Sequence, residues 1–203
     1  MDGDDQTRRR FLAASVAAAA GMGTGLGVGL PQEVFGQALA PTPECRDADE
    51  PTPRQTEGPF YKPRSPLRAD LREPGLSGPD VELVGRVLTR ACKPVPGALV
   101  DLWHCDGNGD YDQRGDRCRG HLFADGSGGY LFRTIRPALY PGRTRHFHVK
   151  VQAPRGRILT TQLYFPDEPQ NARDGLFHRD LLMRVSAAGS GYAARFDFVL
   201  DIA

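Results

Sequence analysis

From Val81 onward, short runs of alternating apolar and polar residues follow one another, separated by turns rich in glycine and proline. Side chains of a strand point alternately to its two faces, so such runs predict strands with one buried face. The runs are Glu82–Leu88, Ala98–Trp103, Tyr130–Ile135, His146–Gln152, Ile158–Phe165 and Ala194–Ile202. At least six strands predict an all-β fold, a β-sandwich closed by long loops.

Two local predictions accompany this fold. The turn Lys93–Gly97 lies between the first two runs and predicts that they form a hairpin. The segment Asn171–Val185 is the only part of the body whose pattern suggests a short helix.

The length and the net charge of the chain limit the number of domains and the kind of partner that we expect. A chain of 203 residues is long enough for one domain with a proper core, and 24 glycines with 17 prolines suit many tight turns. The 26 Lys and Arg nearly balance the 25 Asp and Glu, for a net charge of +1. Such a balance provides no field that attracts nucleic acid or a membrane surface, so we expect a small-molecule partner.

The first forty residues predict an export signal. Arg8, Arg9 and Arg10 precede an uncharged stretch rich in Ala and Gly, which runs to Leu30 and is followed by Ala38-Leu39-Ala40. This order of charged region, apolar region and small-residue cleavage site is typical of signal peptides. The twin arginine indicates the twin-arginine export pathway, which carries proteins that have already folded. We therefore predict a twin-arginine signal over residues 1–40, cleavage after Ala40, a periplasmic or extracellular location and no stable membrane association afterwards. A single membrane anchor is the alternative, which the glycines disfavour.

The mature chain divides into two parts. Residues 41–80 are crowded with Pro, Arg and Asp and lack apolar periodicity, which predicts an extended arm that contributes to a pocket. Residues 81–203 form the predicted catalytic β-sandwich domain. Four cysteines, Cys45, Cys92, Cys105 and Cys118, allow three pairings, and we expect one or two disulfides rather than zinc binding, because no C-x-x-C spacing occurs.

One pair of histidines suggests a metal site. His146 and His148 are two residues apart at the start of a predicted strand, so both imidazoles point to the same face. Imidazole suits Zn, Cu, Fe and Ni alike, and no carboxylate stands at ligand spacing. Tyr111 and Tyr140 occupy loops, where they are either packing residues or anionic ligands of a strongly Lewis-acidic ion such as Fe(III).

A longer set of motifs resembles one enzyme family. These motifs are Gln55–Tyr61, Lys93–Trp103, Gly109–Tyr111, Asp125–Ile135, Tyr140-Pro141, Arg143, His146-x-His148 and Thr161–Phe165. From about Thr52 onward the chain is similar to the intradiol ring-cleavage dioxygenases, the family of protocatechuate 3,4-dioxygenase subunits and catechol 1,2-dioxygenases. The resemblance implies an enzyme that uses O2 to open a catechol-type ring between its two hydroxylated carbons, giving a cis,cis-muconate-type diacid.

The same resemblance implies the residues of the site. The ligands of a non-haem Fe(III) fall on Tyr111, Tyr140, His146 and His148, and Tyr140 is the one that leaves when substrate binds. Arg143 falls on the active-site arginine and Gln162 on the active-site glutamine. In the family, the segment that contains Pro59 and Tyr61 borders the substrate pocket.

Other readings remain open at this level. The strand and turn motifs also resemble transthyretin-like and carboxypeptidase-accessory β-sandwich modules, which bind or brace without a metal. A Zn or Cu enzyme that uses the H-x-H pair is a third option, disfavoured by the missing carboxylate. His104, His121 and His178 are expected to be surface or supporting groups, and Trp103 a core residue. The ring substituents of the substrate stay undefined, and a homo-oligomer is possible.

Overall fold

The computed structural model of the protein describes Cys45 and residues 50–203. The predicted export signal, its cleavage site after Ala40 and residues 41–44 and 46–49 of the predicted arm lie outside the described residues. Across the described part, no helix has both the length and the apolar character that a bilayer span requires.

Within residues 50–203, nine strands form two sheets. They are β1 (Asp80–Thr89), β2 (Leu99–Trp103), β3 (Arg119–Phe123), β4 (Gly129–Ile135), β5 (His146–Gln152), β6 (Ile158–Tyr164), β7 (Arg184–Ala188), β8 (Gly191–Arg195) and β9 (Phe198–Leu200). One sheet has the order β4-β1-β8-β7, with β9 also paired to β1, and the other has the order β3-β2-β5-β6. Apolar side chains from both sheets form one buried core, so the predicted all-β sandwich is confirmed.

The predicted hairpin between the first two strands is wrong, because β1 and β2 belong to different sheets. The chain does fold back briefly after β1, with Val95 N donating to Val87 O at 2.9 Å. Pro96 has no N–H to continue that pairing. Gly97, at φ 68°, then redirects the chain, and its N–H donates to Ala124 O in the connection between β3 and β4. The turn at Lys93–Gly97 therefore leads from one sheet into the other, and its sequence pattern does not indicate this crossover.

The predicted helix over Asn171–Val185 is also wrong. The structure has two short 3-10 helices, Pro169–Arg173 and Arg179–Leu181, and then β7. Between them the Asp174 carboxylate accepts the Leu176 N–H at 2.9 Å, a local side-chain bond that competes with helix continuation.

The sheet that contains β5 has one face in the core and the other under the amino-terminal segment. Phe147, Val149 and Val151 are core residues, so the alternate residues His146 and His148 point to the opposite face. Residues 50–79 contain no strand and run over this sheet, with Gln55 N donating to Thr160 O of β6 at 2.8 Å and Arg68 N donating to His121 O of β3 at 3.0 Å.

The cysteines divide into one bonded pair and two thiols. Cys45 and Cys92 form a disulfide with a Cα–Cα distance of 5.7 Å, which ties the arm to the turn after β1. Cys105 and Cys118 are free and buried. Burial raises the pKa of the Cys105 thiol to about 11 and that of Cys118 to about 12, so both are protonated and unreactive at neutral pH.

Candidate metal centre

The two histidines of β5 converge as their spacing predicts. Both are buried, and their Nε2 atoms lie 3.0 Å apart. The Nδ1 atom of His146 lies 2.6 Å from Thr144 O, which can only accept, so Nδ1 carries the proton and Nε2 presents a lone pair. Burial lowers the pKa of His146 to about 4 and lowers that of His148 well below its ordinary value, so both rings are neutral at physiological pH.

Tyr111 reaches the histidines from the loop after β2. Its hydroxyl lies 3.1 Å from His148 Nε2. Two aspartates shape the loop on either side: Asp106 Oδ1 accepts the Asn108 N–H at 2.8 Å, and Asp112 Oδ1 accepts the Gly115 N–H at 2.8 Å. Burial raises the pKa of Tyr111, so the phenol needs a nearby cation to become a phenolate.

Tyr140 lies beside Tyr111 in the loop after β4. The two ring centroids are 5.8 Å apart in an edge-to-face arrangement, and Phe60 contacts the Tyr140 ring at 5.6 Å. Arg143 N donates to Tyr140 O at 2.9 Å, which closes a tight turn ahead of the histidines. The structure therefore joins Tyr111, His146 and His148 by polar contacts and places Tyr140 next to them by ring contacts.

The amino-terminal segment, residues 50–79, covers the centre and is called the covering segment. The Phe60 ring stacks on Tyr111 with centroids 4.4 Å apart and an interplanar angle of 13°. Gly58 has a φ of +71°, and a Cβ there would come within 3.2 Å of His148 Cε1. Only a glycine satisfies both the backbone angle and the close approach without strain.

The remaining predicted contacts of this segment, Pro59 and Tyr61, take different places. Pro59 is exposed between Gly58 and Phe60. Tyr61 packs on Trp103 at 4.9 Å, and the Lys150 ammonium lies 3.4 Å from the Tyr61 ring centroid. Trp103 is a core residue, as expected, and also stacks on the His148 ring at 5.0 Å with an 8° angle between planes.

Arg143 and Gln162 form one hydrogen-bonded unit with a carboxylate. Arg143 Nη2 donates to Gln162 Oε1 at 2.6 Å, and Arg143 Nε donates to Asp174 at 2.9 Å. Gln162 is wholly buried, and its amide nitrogen donates to Thr56 O at 2.9 Å. Gln162 therefore connects Arg143 to the covering segment.

The other histidines lie away from this cluster. His104 is buried rather than on the surface, within 2.7 Å of Thr134 Oγ1 of the opposite sheet, and burial lowers its pKa to about 4. His121 Nδ1 lies 3.1 Å from Ser65 Oγ in the arm, and His178 is exposed.

The donor set fits a single metal ion. In the part of the chain that the structure describes, no group of three His, Cys, Asp or Glu side chains could hold one. The tyrosine oxygens are therefore needed beside the two imidazoles. Two nitrogens that each lie about 2.1 Å from one ion, at a right angle, are about 3.0 Å apart, and the His146 and His148 Nε2 atoms have that separation. The His148 Nδ1 atom is buried and has no hydrogen-bond partner among the described residues, so Nε2 is the nitrogen of this ring that faces the other donors.

Sequence comparison relates the chain to enzymes that act with dioxygen. The Dioxygenase family matches residues 56–202. Catechol 1,2-dioxygenase from Pseudomonas sp. (strain EST1001) is 30% identical over 153 residues, which cover 62% of this chain and 51% of that protein. The protocatechuate 3,4-dioxygenase beta chain from Burkholderia cepacia is 30% identical over 148 residues, covering 60% of this chain and 63% of that one. The chain thus spans between half and two thirds of the length of these relatives.

Solved structures give the same relationship. The dioxygenase domain of a dioxygenase carbohydrate-binding protein fusion from the cellulolytic bacterium Streptomyces sp. SirexAA-E is 52% identical, with a TM-score of 0.74 over 76% of this chain and 100% of that chain. Catechol 1,2-dioxygenase from Pseudomonas arvilla C-1 is 26% identical, with a TM-score of 0.67 over 74% and 62% of the two chains.

Proposed function

Because this chain belongs to the Dioxygenase family, we propose that it opens the ring of a catechol-type aromatic between its two hydroxylated carbons, with both atoms of O2 entering the product. The product is a cis,cis-muconate-type diacid. Ferric iron held by Tyr111, Tyr140, His146 and His148 is the cofactor. The curated relatives that act on catechol and protocatechuate support this substrate class.

The observation that carries the proposal is the convergence of unlike donors at one buried point. His148 Nε2 lies 3.0 Å from His146 Nε2 and 3.1 Å from the Tyr111 hydroxyl, so two neutral imidazoles and a phenol meet in a buried place. A non-enzymatic β-sandwich module has no reason to keep such a set. Phenolates are hard, anionic donors, which suit a trivalent ion better than zinc or copper(I).

Ferric iron, when bound, supplies the Lewis acidity that keeps the tyrosine phenols ionised and activates the catechol ring toward dioxygen. The protein's own contribution begins with Tyr140, whose phenolate oxygen accepts a proton from one catechol hydroxyl as the substrate enters. The ring contacts of Tyr140 with Phe60 and Tyr111 permit that change without breaking a hydrogen bond.

Arg143 stabilises the negative charge of the reacting substrate. Its Nε and Nη2 are held by Asp174 and Gln162, so the guanidinium is oriented before substrate arrives. A charge fixed in place costs no reorganisation during the reaction. The covering segment, with Gly58 and Phe60 against the ligands, excludes water from the same region.

The visible spectrum of the purified protein tests the proposal directly. Tyrosinate-to-Fe(III) charge transfer gives a red to burgundy protein, and Tyr111→Phe should weaken that absorption. Catechol, protocatechuate and hydroxyquinol are then supplied with 18O2, and the diacid product should contain two labelled oxygen atoms. A colourless protein fully loaded with zinc, or colour without any ring-opened product from the three substrates, would end the proposal.

A second part of the proposal concerns location. The arginines at Arg8, Arg9 and Arg10, followed by an apolar stretch, support export of the folded, iron-loaded protein through the twin-arginine pathway. Replacing all three with lysine should leave the protein in the cytoplasm. Equal amounts of wild type and variant outside the cytoplasm would contradict it.

A further inference from the structure

Arg119, the first residue of β3, is buried in an unusual way. Its exposed fraction is 2%, and no carboxylate in the described part of the chain lies within ion-pair distance. Burial lowers the pKa of this guanidinium, because the charged form loses its hydration, and the more distant negative charges of Asp112 and Asp116 offset that shift only in part. Removing a charge from water without an opposite charge in direct contact is costly, so the contacts that it makes must offset that cost.

Those contacts reach the two segments that meet at Tyr111. Arg119 Nη2 donates to Phe60 O at 2.8 Å and to Asp112 O at 3.0 Å, and Nε also donates to Asp112 O at 3.2 Å. Asp112 follows Tyr111 in the chain, and Phe60 is the residue whose ring stacks on Tyr111. A single guanidinium therefore connects the backbone of the covering segment to the backbone of the ligand loop.

The guanidinium has more donors than these carbonyls use. Its Nη1 is buried and has no partner among the described residues. A neutral glutamine amide would avoid the cost of burying a charge, but its side chain is shorter and has one NH2 group in place of the several donors of a guanidinium. What an arginine adds is a planar fork of donors with fixed geometry, so that the two carbonyls, and with them the two rings, keep one relative position.

We propose that Arg119 is a positioning residue that ties the covering segment to the Tyr111 loop and so sets the place of the Tyr111 ring in the metal centre. The tie between the two segments is a property of the fold. Its consequence for the metal rests on the proposed function.

Hydrogen–deuterium exchange of the purified protein as isolated tests the tie without any need for turnover. We compare wild type with Arg119→Lys, which keeps the charge but not the fork, and Arg119→Gln. Arg72→Gln is the control, because it makes the same chemical change in the amino-terminal segment, but Arg72 bonds to the Asp70 and Asp80 carboxylates and contacts neither tied segment. Peptides over residues 57–61 and 106–114 report on the two tied segments, and peptides over β7 and β8 report on the distant sheet.

Losing charge-assisted bonds to two carbonyls should speed exchange in both tied segments by about tenfold or more in Arg119→Gln, with β7 and β8 unchanged. Arg119→Lys should fall between that variant and wild type, and the control should leave both segments within about twofold of wild type. In iron-loaded protein, the Tyr111 charge-transfer absorption should shift in both Arg119 variants and stay in place in the control.

Exchange within about twofold of wild type in both segments would overturn the proposal, and so would uniform acceleration across the protein, which indicates a general stability effect. If Arg119→Gln does not fold, Arg119→Lys decides by the same criteria. A protein without iron would contradict the proposed function while leaving the exchange result decisive for the tie.

Discussion

Replacing Asp174 with asparagine should disorganise Arg143 while leaving the metal ligands in place. The Asp174 side chain is only 1% exposed. It accepts the Arg143 Nε at 2.9 Å, the Thr144 N–H at 2.8 Å and the Leu176 N–H at 2.9 Å. Asparagine has the same shape, but one of its two terminal groups is an NH2 donor, which must face at least one of these N–H donors.

The size of the effect follows from burial and charge. Breaking a buried ion pair by removing one partner costs about 3–5 kcal/mol, and the Arg143 side chain is 18% exposed, so we expect the lower end, about 3 kcal/mol. For a domain of this size that corresponds to a fall in Tm of about 6–12 °C. Turnover should fall about tenfold, less than the roughly 100-fold loss of an oriented donor, because Gln162 still holds Arg143 Nη2.

The pH dependence of the stability effect has a defined sign. Burial raises the pKa of Asp174, but the Leu176 and Thr144 amides and Arg143 outweigh it, so the folded-state pKa lies below the ordinary 3.8. A group whose pKa is lowered by folding stabilises the protein above its unfolded pKa and loses that contribution as the pH falls through the folded value. The difference between wild type and variant should be complete from about pH 5 upward and shrink below about pH 4.

The assay is thermal unfolding over that pH range together with steady-state turnover and iron content. Asp180→Asn is the control, because it makes the same chemical change at a side chain that is 71% exposed, and it should leave all three quantities unchanged. Wild-type turnover and Tm in Asp174→Asn would refute the positioning of Arg143 by Asp174. Loss of iron would instead show that Asp174 supports the ligands.

Three further predictions address the ligands, the cover and the disulfide. His148→Ala should lose iron, whereas Tyr140→Phe should keep it with weaker colour and slower substrate binding, as measured by metal analysis and stopped-flow absorption. Gly58→Ala should destabilise the protein and lower its iron affinity more than Gly75→Ala does. Both positions have positive φ, where backbone strain costs about 1–2 kcal/mol, but only at Gly58 would the new Cβ lie 3.2 Å from the ring atom His148 Cε1. Cys92→Ser should lower the free energy of unfolding by about 4 kcal/mol through loss of a 47-residue loop constraint, seen in denaturant melts.

The sequence predicted β1, β2, β4, β5 and β6 as strands, but it did not predict β3, β7 or the partners of any strand. Alternation is a local signal, and it suffices to place His146 and His148 on one face of a strand. Pairing depends on contacts between distant segments, such as β1 with β4 and β2 with β5, whose energies the pattern does not contain. The turn at Lys93–Gly97 therefore led to the wrong prediction of a hairpin, because the chain folds back only locally there and then enters the other sheet.

The proposed metal ligands come from the family resemblance, but the residues that orient those side chains could not be predicted from it. Arg119 and Asp174 are charged residues in polar stretches, where the usual expectation is a solvated side chain. Arg119 becomes buried where the arm meets the Tyr111 loop, and Asp174 becomes buried where its own loop meets Arg143 and Thr144. A role for Phe60 in the site could have been suspected, because Phe60 lies in the motif Gln55–Tyr61. Its stack on Tyr111 could not be predicted, because the two residues are 51 positions apart in the sequence.

The places of the four proposed ligands in the fold are consistent with Tyr140 as the one that would leave when substrate binds. His146 and His148 project from β5, and Tyr111 follows β2, which pairs with β5 in the same sheet. Asp106, Asp112 and Arg119 brace the Tyr111 loop further. Tyr140 follows β4 in the opposite sheet and contacts the centre by ring edges alone. Movement of the Tyr140 side chain breaks no hydrogen bond of Tyr111, His146 or His148, so substrate would take the place of Tyr140 with the other three side chains still held by their own contacts.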